Sequence, residues 1–461
     1  MPELPEVETV KNTLIKDVLG KRITGFSLLY KRIMQTELGL EETVNKTIID
    51  IKRHGKFLII NLEDNVNMVL HLRMEGKIFY FKEEIKELPK STSFVLNLDQ
   101  GYLYFFDTRK FAVCYVFKGD DYFSLPPLSL VGPDPFLAKK EDIYNSYKKD
   151  KRPVKEILMD QHIMSGIGNI YADEILFSCA LSPFILGTNL EEKDVENIIL
   201  SAQKILRKSI ELGGSTVKSY QSSANHSGSF QDELKVYGRA GEKCFNCSSL
   251  IEKRSLSGRG TSFCPKCQKH GNVIALTGSI GSGKSSVAQI FVNHGYLLYD
   301  CDKKVKEFYQ DKKFISEIEK KFKDVFKGGF NKDVLLSKMT SSPSFRRKYE
   351  NYIFHYIKED INSYLIENYS KNIIVEVPRF FDANLKLMIP RYILVRADKK
   401  IRYNRLIKRG QKNIDEMLKL EKDLDKKKIE QAFFIIDNDG DKINLENKVK
   451  EIISYIEEEK K

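Results

Sequence analysis

The order of apolar and polar positions changes twice along the chain. Over residues 1–130 short aromatic and β-branched runs dominate. They are KFLIINL (56–62), MVLHLRM (68–74), KIFYF (77–81), SFVLNLD (93–99) and YLYFFDT (102–108), with Gly, Asn, Asp or Pro between them. Runs of this length and bias predict strands, and enough of them for a β-sandwich or barrel. One helix is predicted to open the chain, from Glu6 to Leu19, stopped by Gly20. The stretch LPPLSLVGPDPF (125–136) is rich in Pro and Gly and reads as a linker. Residues 137–212 take a helical period, interrupted by SGIGN at 165–169, and 213–229 are rich in Ser, Gly and Asn. At Gly271 the texture shifts again: NVIALTG (272–278) reads as a buried strand and opens a strand–helix alternation. The pattern predicts a multidomain chain with segments at 1–130, 131–229, 230–270 and 271–461, the last an α/β domain with a parallel sheet.

Length agrees with several domains, since 461 residues exceed what one core usually serves. No apolar run approaches the roughly 18–20 residues of a membrane span, and the start MPELPEVETV carries glutamates where a leader needs cations. A cytoplasmic protein with no membrane partner is expected. The net charge of +12 suits an anionic partner but is unevenly placed. Residues 1–270 hold 38 Lys+Arg against 35 Asp+Glu, and the remainder 38 against 29. Local clusters therefore say more than the total. One is Lys148, Lys149, Lys151, Arg152 and Lys155; another is Lys243, Lys253, Arg254, Arg259, Lys266 and Lys269. Each is either a solvated face or an anion contact.

Seven cysteines include the series Cys244-x2-Cys247-x16-Cys264-x2-Cys267. Two tight knuckles present four thiolates, the tetrahedral set of one structural Zn²⁺. A segment this short builds little core, so the metal supplies folding energy. Between the pairs, KRSLSGRGTSF (253–263) reads as a hairpin with Arg254 and Arg259 at its tip, ready for phosphates. Further on, Gly278-Ser279-Ile280-Gly281-Ser282-Gly283-Lys284-Ser285, followed by Ser286, fits the phosphate-binding GxxxxGK[ST] pattern between a strand and a helix. Its N–H groups would wrap the phosphates of ATP, Lys284 would reach the β- and γ-phosphates, and Ser285 would hold Mg²⁺. GYLLYDCD (295–302) then predicts a second strand ending in Asp300 and Asp302, two carboxylates pointing the same way.

The order and spacing of several segments resemble one family over the first 270 residues or so. They are MPELPEVET, RHGKFLI (53–59), HLRMEGK (71–77), DTRKFA (107–112), GIGNIYADE (166–174), FQDELKVYGRAGEKC (230–244) and GRGTSFCPKCQK (258–269). This part of the chain resembles the formamidopyrimidine-DNA glycosylases, which excise oxidised purines from damaged double-stranded DNA and cleave the resulting abasic site. The resemblance implies an N-terminal β-sandwich, a helix–two-turns–helix domain and a zinc ribbon. It also implies that Pro2, freed of Met1, is the nucleophile. An α-amino group titrates near pH 8, about two units below lysine. A secondary amine attacking the sugar's anomeric carbon expels the base and leaves an iminium that can drive 3′-phosphate elimination. Glu3 would act as general acid/base, with Glu6 in support. Lys56 would reach the phosphate or lesion, and Arg259 would assist the second elimination. Met74, Arg109 and Phe111 match the trio that fills the space left by a flipped base. Lys155 and Asn169 are phosphate contacts on this reading, and Tyr220 lies in a loop that closes over the base. Arg73 stands where the family has glycine, and Lys90-Ser91-Thr92-Ser93 where it has Lys-His-Asp-His.

Residues 272–455 are similar to dephospho-CoA kinases, through the phosphate loop, Asp300, Asp302, IFHYI (353–357), EVPRFFD (376–382), RYNRLIKR (402–409) and FFIIDNDG (433–440). The resemblance makes Asp302 the base toward dephospho-CoA, puts Arg405 and Arg409 on a lid over ATP, and sets Asn438 near the adenine. The acceptor side has drifted: His355-Tyr356, Arg379-Phe380-Phe381-Asp382 and Ala432-Phe433 replace family pairs and runs. Two alternatives stand beside the bifunctional enzyme. The first half is a non-catalytic DNA-binding module, or the kinase half is a degenerate scaffold.

Overall fold

The computed structural model describes residues 2–215, 228–326, 332–411, 414, 418 and 426–458. Tyr220 lies outside them. Two compact units emerge, one of residues 1–239 with 256–261, the other of 240–255 with 262–461.

The first unit opens with α1 (Leu4–Val18), two residues earlier than the periodicity predicts. Glu3 and Glu6 form a capping box, and Pro5 sits in the first turn, where its missing N–H does no harm. Eight strands follow: β1 (Ile23–Leu28), β2 (Ile48–His54), β3 (Phe57–Leu62), β4 (Val66–His71), β5 (Lys77–Phe81), β6 (Thr92–Leu98), β7 (Tyr102–Phe106) and β8 (Val113–Lys118). They make two four-stranded sheets, ordered β1-β6-β7-β5 and β2-β3-β4-β8. Val10, Leu14, Leu58, Ile60, Met68, Phe94 and Phe105 are among the side chains of the core they share. The connections after β4 and after β7 run side by side, because His71 pairs with Val113 and Lys77 with Phe106.

A second core belongs to the helices α2 (Lys140–Tyr147), α3 (Val154–Leu158), α4 (Asn169–Ser178) and α5 (Glu192–Glu211). Leu4 of α1 is buried in it. Its backbone N–H donates to the Gly166 carbonyl at 2.9 Å, which ties the chain's start to the SGIGN turn. Gly166 has φ +90°, and a Cβ there would strike Leu4.

The cysteine knuckles flank a hairpin of β9 (Glu252–Leu256) and β10 (Arg259–Phe263), whose base belongs to the second unit and whose tip, 256–261, belongs to the first. Arg254 is not the solvent-facing tip residue that the pattern suggests. It is buried, paired to Glu252 at 2.9 Å, set over the Phe263 ring, and donates to the Leu365 carbonyl at 3.3 Å. The chain then builds a parallel sheet from β11 (Val273–Gly278), β12 (Leu297–Asp300), β13 (Ile373–Glu376), β14 (Tyr392–Arg396) and β15 (Phe434–Asp437). Their order is β12-β13-β11-β14-β15, the crossover topology of a P-loop domain. Asp300 and Asp302 do not share a strand. β12 ends at Asp300, whose carboxylate caps α7 (Cys301–Phe308) by accepting from the Lys303 N–H, and Asp302 falls in the first helical turn. An aspartate ahead of a free helix end is worth more as a cap than as another strand residue.

Candidate functional site

The N-terminal site is built where α1, the SGIGN turn and α4 meet. Pro2 is buried at the head of α1. The Glu3 carboxylate lies across the start of α4, accepting from Gly168 N–H at 2.6 Å, Ile170 N–H at 2.9 Å and Tyr171 N–H at 3.4 Å. The N–H groups that flank Asn169 at the start of α4 are thus occupied by Glu3. A Cβ on Gly168 would come within 2.4 Å of that carboxyl carbon, so only glycine fits. Burial raises the Glu3 pKa, the Glu6 charge adds to this, and Lys56 and the helix N–H groups oppose it. Glu6 accepts from Glu3 N–H at 2.8 Å, from the Tyr171 hydroxyl at 2.7 Å and from Ser215 N–H at 2.7 Å. Tyr171 and Ser215, which the sequence reading passed over, complete this buried network.

Lys56 is 5% exposed and donates to the Ile167 carbonyl at 2.8 Å. Burial pushes its pKa down to about 8, with Glu3 opposing and Arg259 adding. Arg259 itself is exposed on the hairpin. His71, which no motif argument selected, lies in the same field. Burial first, then Arg73 and Lys56, drive its pKa down to about 3, so it is neutral at physiological pH. Lys155 is turned inward rather than toward solvent. Its ammonium meets Asp173 at 2.7 Å and Thr261 at 2.9 Å, which fixes the hairpin tip against the helices. Asn169 donates to the neighbouring Gly260 carbonyl at 3.1 Å.

Met74, Arg109 and Phe111 all reach solvent, on the adjacent connections after β4 and β7. The Arg109 guanidinium lies 5.1 Å from the Phe111 ring centre. Buried Asp107 shapes that turn, accepting from the N–H groups of Arg109, Phe111 and Ala112. Lys110 donates to the Ser91 and Thr92 carbonyls at 2.9 Å and to the Ser93 hydroxyl, so the segment lacking histidines is tied to the same turn. Arg73 has φ +54°, the conformation that a glycine at this place adopts without strain.

In the second unit the Sγ atoms of Cys244, Cys247, Cys264 and Cys267 all lie within 4.8 Å of one another. Four convergent thiols in a segment otherwise short of core fit a single Zn²⁺. The phosphate loop follows β11, with positive φ at Gly278, Gly281 and Gly283. Lys284 starts α6 (Lys284–Asn293) and rests on the Gly278 and Ser279 carbonyls, 3.0 Å from each. The Ser285 hydroxyl donates to Glu376 at 2.9 Å. Glu376 ends β13 in register with Asp300. Its pKa is raised by burial, and Asp300 and Asp302 raise it further. Asp302 is likewise raised, by dehydration and then Asp300, against Lys284 and Lys306. These groups are suited to Mg²⁺ beside a triphosphate. Glu376 belongs to a quoted segment but not to the predicted site; its place at a strand's carboxyl end was the available signal.

Asn438 donates to the Ser282 carbonyl at 2.7 Å, and its amide stands where any Cβ on Gly283 would be. Arg405 donates to the carbonyls of Asn438 at 2.9 Å and Ser282 at 3.4 Å. Arg402, not Arg409, is the other arginine on the loop, donating to the Ile280 carbonyl at 3.3 Å. Arg409 is exposed at the end of the helix Lys399–Lys408. Ser286 lies in the first turn of α6, its N–H bonded to Gly283. Beside Asp302 opens a cavity of about 230 Å³, mainly apolar, lined by Tyr349, Ile353, Phe354, Val377 and Arg379 among others.

Sandwich, helical module and cysteine hairpin define a DNA glycosylase of the helix–two-turns–helix class, and the parallel sheet adds a P-loop kinase. Family models match accordingly: formamidopyrimidine-DNA glycosylase N-terminal domain at 1–114, its H2TH domain at 131–221, the zinc finger found in these glycosylases and isoleucyl-tRNA synthetases at 241–269, and dephospho-CoA kinase at 272–444. The formamidopyrimidine-DNA glycosylase of Mycoplasma mobile is 39% identical over 274 residues, covering 58% of this chain and 99% of its own length. That of Bacillus cereus is 38% identical over 275 residues, again 58% and 99%. The Lactococcus lactis enzyme, solved in complex with DNA containing an abasic site, superposes with TM-score 0.55 at 34% identity, over 58% of this chain and 99% of that one. The Thermus thermophilus structure gives 0.53 at 35% identity, over 58% and 98%. The chain belongs to the formamidopyrimidine-DNA glycosylase family and carries a dephospho-CoA kinase domain after it.

Proposed function

We propose that this protein is a bifunctional enzyme, a glycosylase and abasic-site lyase acting on oxidised purines in duplex DNA, joined to an ATP-dependent dephospho-CoA kinase. The observation that carries the first half is the fixation of the N-terminus. Leu4 is held by Gly166, and Glu3 by three N–H groups of α4, so Pro2 is delivered to one place. Freed of Met1, its secondary amine attacks C1′ and the oxidised base leaves with its bonding electrons. Glu3, whose pKa burial raises, protonates the ring oxygen as the sugar opens. The resulting iminium acidifies the adjacent C–H. Loss of that proton expels the 3′ phosphate. Lys56 brings a cation to the same site, and Met74, Arg109 and Phe111 supply side chains that can fill the stack. Arg259 on the hairpin, Asn169 at the start of α4 and Tyr220 complete the proposed DNA contacts, while Lys155, buried against Asp173, holds the hairpin tip in place for them instead of meeting a phosphate itself. Borohydride should trap a covalent adduct with an 8-oxoguanine duplex through Pro2. Intact duplex after long incubation, with no adduct, would reduce this half to a binding module.

In the second half Lys284 and the N–H groups of the loop hold ATP phosphates. Ser285, Glu376 and the neighbouring aspartates would hold Mg²⁺, which would offset phosphate charge. Asp302 takes the proton of the acceptor's ribose 3′-hydroxyl. Arg405, Arg409 and Asn438 belong to the nucleotide side. Phosphorylation of dephospho-CoA, abolished by Lys284→Ala, tests this and excludes a mere scaffold. Four thiols arranged for a metal support residence in a reducing compartment, the cytoplasm.

A further inference from the structure

The hairpin β9–β10 has an outer edge, and the kinase covers it. Lys253 N–H donates to the Leu387 carbonyl at 3.1 Å. Two residues on, Ser255 N–H donates to the Asn362 side-chain oxygen at 2.9 Å, and the Asn362 amide returns a bond to the Ser255 carbonyl at 2.6 Å. Asn362 therefore acts as a substitute strand, closing an edge that would otherwise need water or another chain. It is 5% exposed, so neither bond is readily replaced by solvent. The Arg254 bond to Leu365 adds a third link one helical turn away.

Both anchored segments continue into the walls of the cavity beside Asp302. Asn362 and Leu365 lie on the helix Pro343–Glu367, whose Tyr349, Glu350, Ile353, Phe354 and Ile357 line one wall. Ile357 is five residues from Asn362, a rise of about 7.5 Å along a rigid rod. Leu387 follows the opposite wall, formed by Val377, Pro378, Arg379 and Ala383. Arg379 joins the two walls by meeting Glu350 at 2.6 Å, and its own segment steadies it through Asp382 at 2.8 Å. The cavity is thus pinned at one side by its own ion pairs and at the other by the ribbon.

We propose that Asn362 is a positioning residue for the acceptor: docked on β9, it makes the zinc ribbon the outer brace that sets the spacing of the acceptor cavity. The proposal rests on the kinase reading above. The phosphate loop proposed to bind ATP contributes no residue to this cavity's lining, so ATP binding should not sense the brace. In the full-length protein, Asn362→Ala is expected to raise KM for dephospho-CoA about 3- to 10-fold, the loss of two buried hydrogen bonds with partial relaxation. KM for ATP and kcat should stay within about twofold. Asn362→Gln, which keeps both the donor and the acceptor on a side chain one methylene longer, should fall between and covers the case in which alanine does not fold. Deuterium exchange across 343–357 should quicken in both variants. An active variant with an unmoved acceptor KM, or with both KM values raised alike, would overturn the proposal. Wild-type protein that phosphorylates no dephospho-CoA would instead refute the kinase reading. In that event the brace stands or falls on the exchange rates, and unchanged rates would refute it.

Discussion

On the proposed mechanism, a lysine and a carboxyl group buried together carry most of the proton chemistry of the N-terminal site. Lys56 is held at about pH 8 by burial, against an ordinary value of 10.5. Between those values the unfolded chain keeps a proton that the folded one has lost, so this group's contribution to stability rises with pH across that window. Its charge behaves oppositely: the ammonium that would meet a phosphate disappears as pH passes about 8. Borohydride trapping, followed from about pH 6 to 10, should therefore show a falling alkaline limb. Lys56→Arg, which stays charged, should shift that limb upward by at least a unit. A limb that does not move would assign it to another group. Glu3 gives a second test. Glu3→Gln cannot transfer a proton, so excision should fall by about 10²- to 10⁴-fold. Chemical denaturation should change less, because the amide oxygen keeps the bond to either Gly168 N–H or Ile170 N–H and only the other is lost. Equal loss of stability and excision would show Glu3 to be a helix cap and nothing more.

At the scale of elements, the connection after β4 holds a residue in a conformation it resists. A non-glycine residue at φ near +54° is strained by roughly 1–2 kcal/mol, partly offset by glycine's larger unfolded freedom. Arg73→Gly should therefore stabilise the sandwich by about 0.5–1 kcal/mol in urea titration, with excision little changed. Destabilisation would show that the Arg73 side chain contributes a contact worth more than the strain. The strands flanking such turns were legible because aromatic and β-branched runs mark them, and the cysteine and phosphate-loop spacings marked their chemistry. What escaped the sequence was the inward use of charge. Arg254 reads as a solvent-facing phosphate contact until Glu252, Phe263 and the Leu365 carbonyl are seen around it. Lys155 does so until Asp173 appears across the turn. Asp300 reads as a strand carboxylate because its capped N–H, at Lys303, belongs to a helix that a few polar residues announce only weakly. Each partner is distant in sequence or hidden by local polarity, so spacing alone carries no trace of it.

For the whole molecule, the units do not follow the family boundary. The cysteines match a zinc finger of glycosylases, yet residues 240–255 and 262–270 are compact with the kinase. His270 is buried between Phe263 and Tyr369, the Gly271 N–H donates to the Tyr369 carbonyl, and Glu252 and Arg254 form a buried pair in that same unit. Truncating either partner of such a pair leaves an uncompensated charge, costing about 3–5 kcal/mol. Zinc holds the knuckles on which this packing depends, and a structural zinc site couples metal binding to folding. Chelation should accordingly lower the unfolding midpoint of the C-terminal unit by several degrees, since about 1 kcal/mol moves a unit of this size by 2–4 °C. The sandwich unit should melt where it did before. Calorimetry of the full chain can separate the two transitions, because ATP should raise only the C-terminal one by mass action. If chelation moved only the transition that ATP leaves alone, the ribbon's folding would be coupled to the glycosylase and not to the kinase.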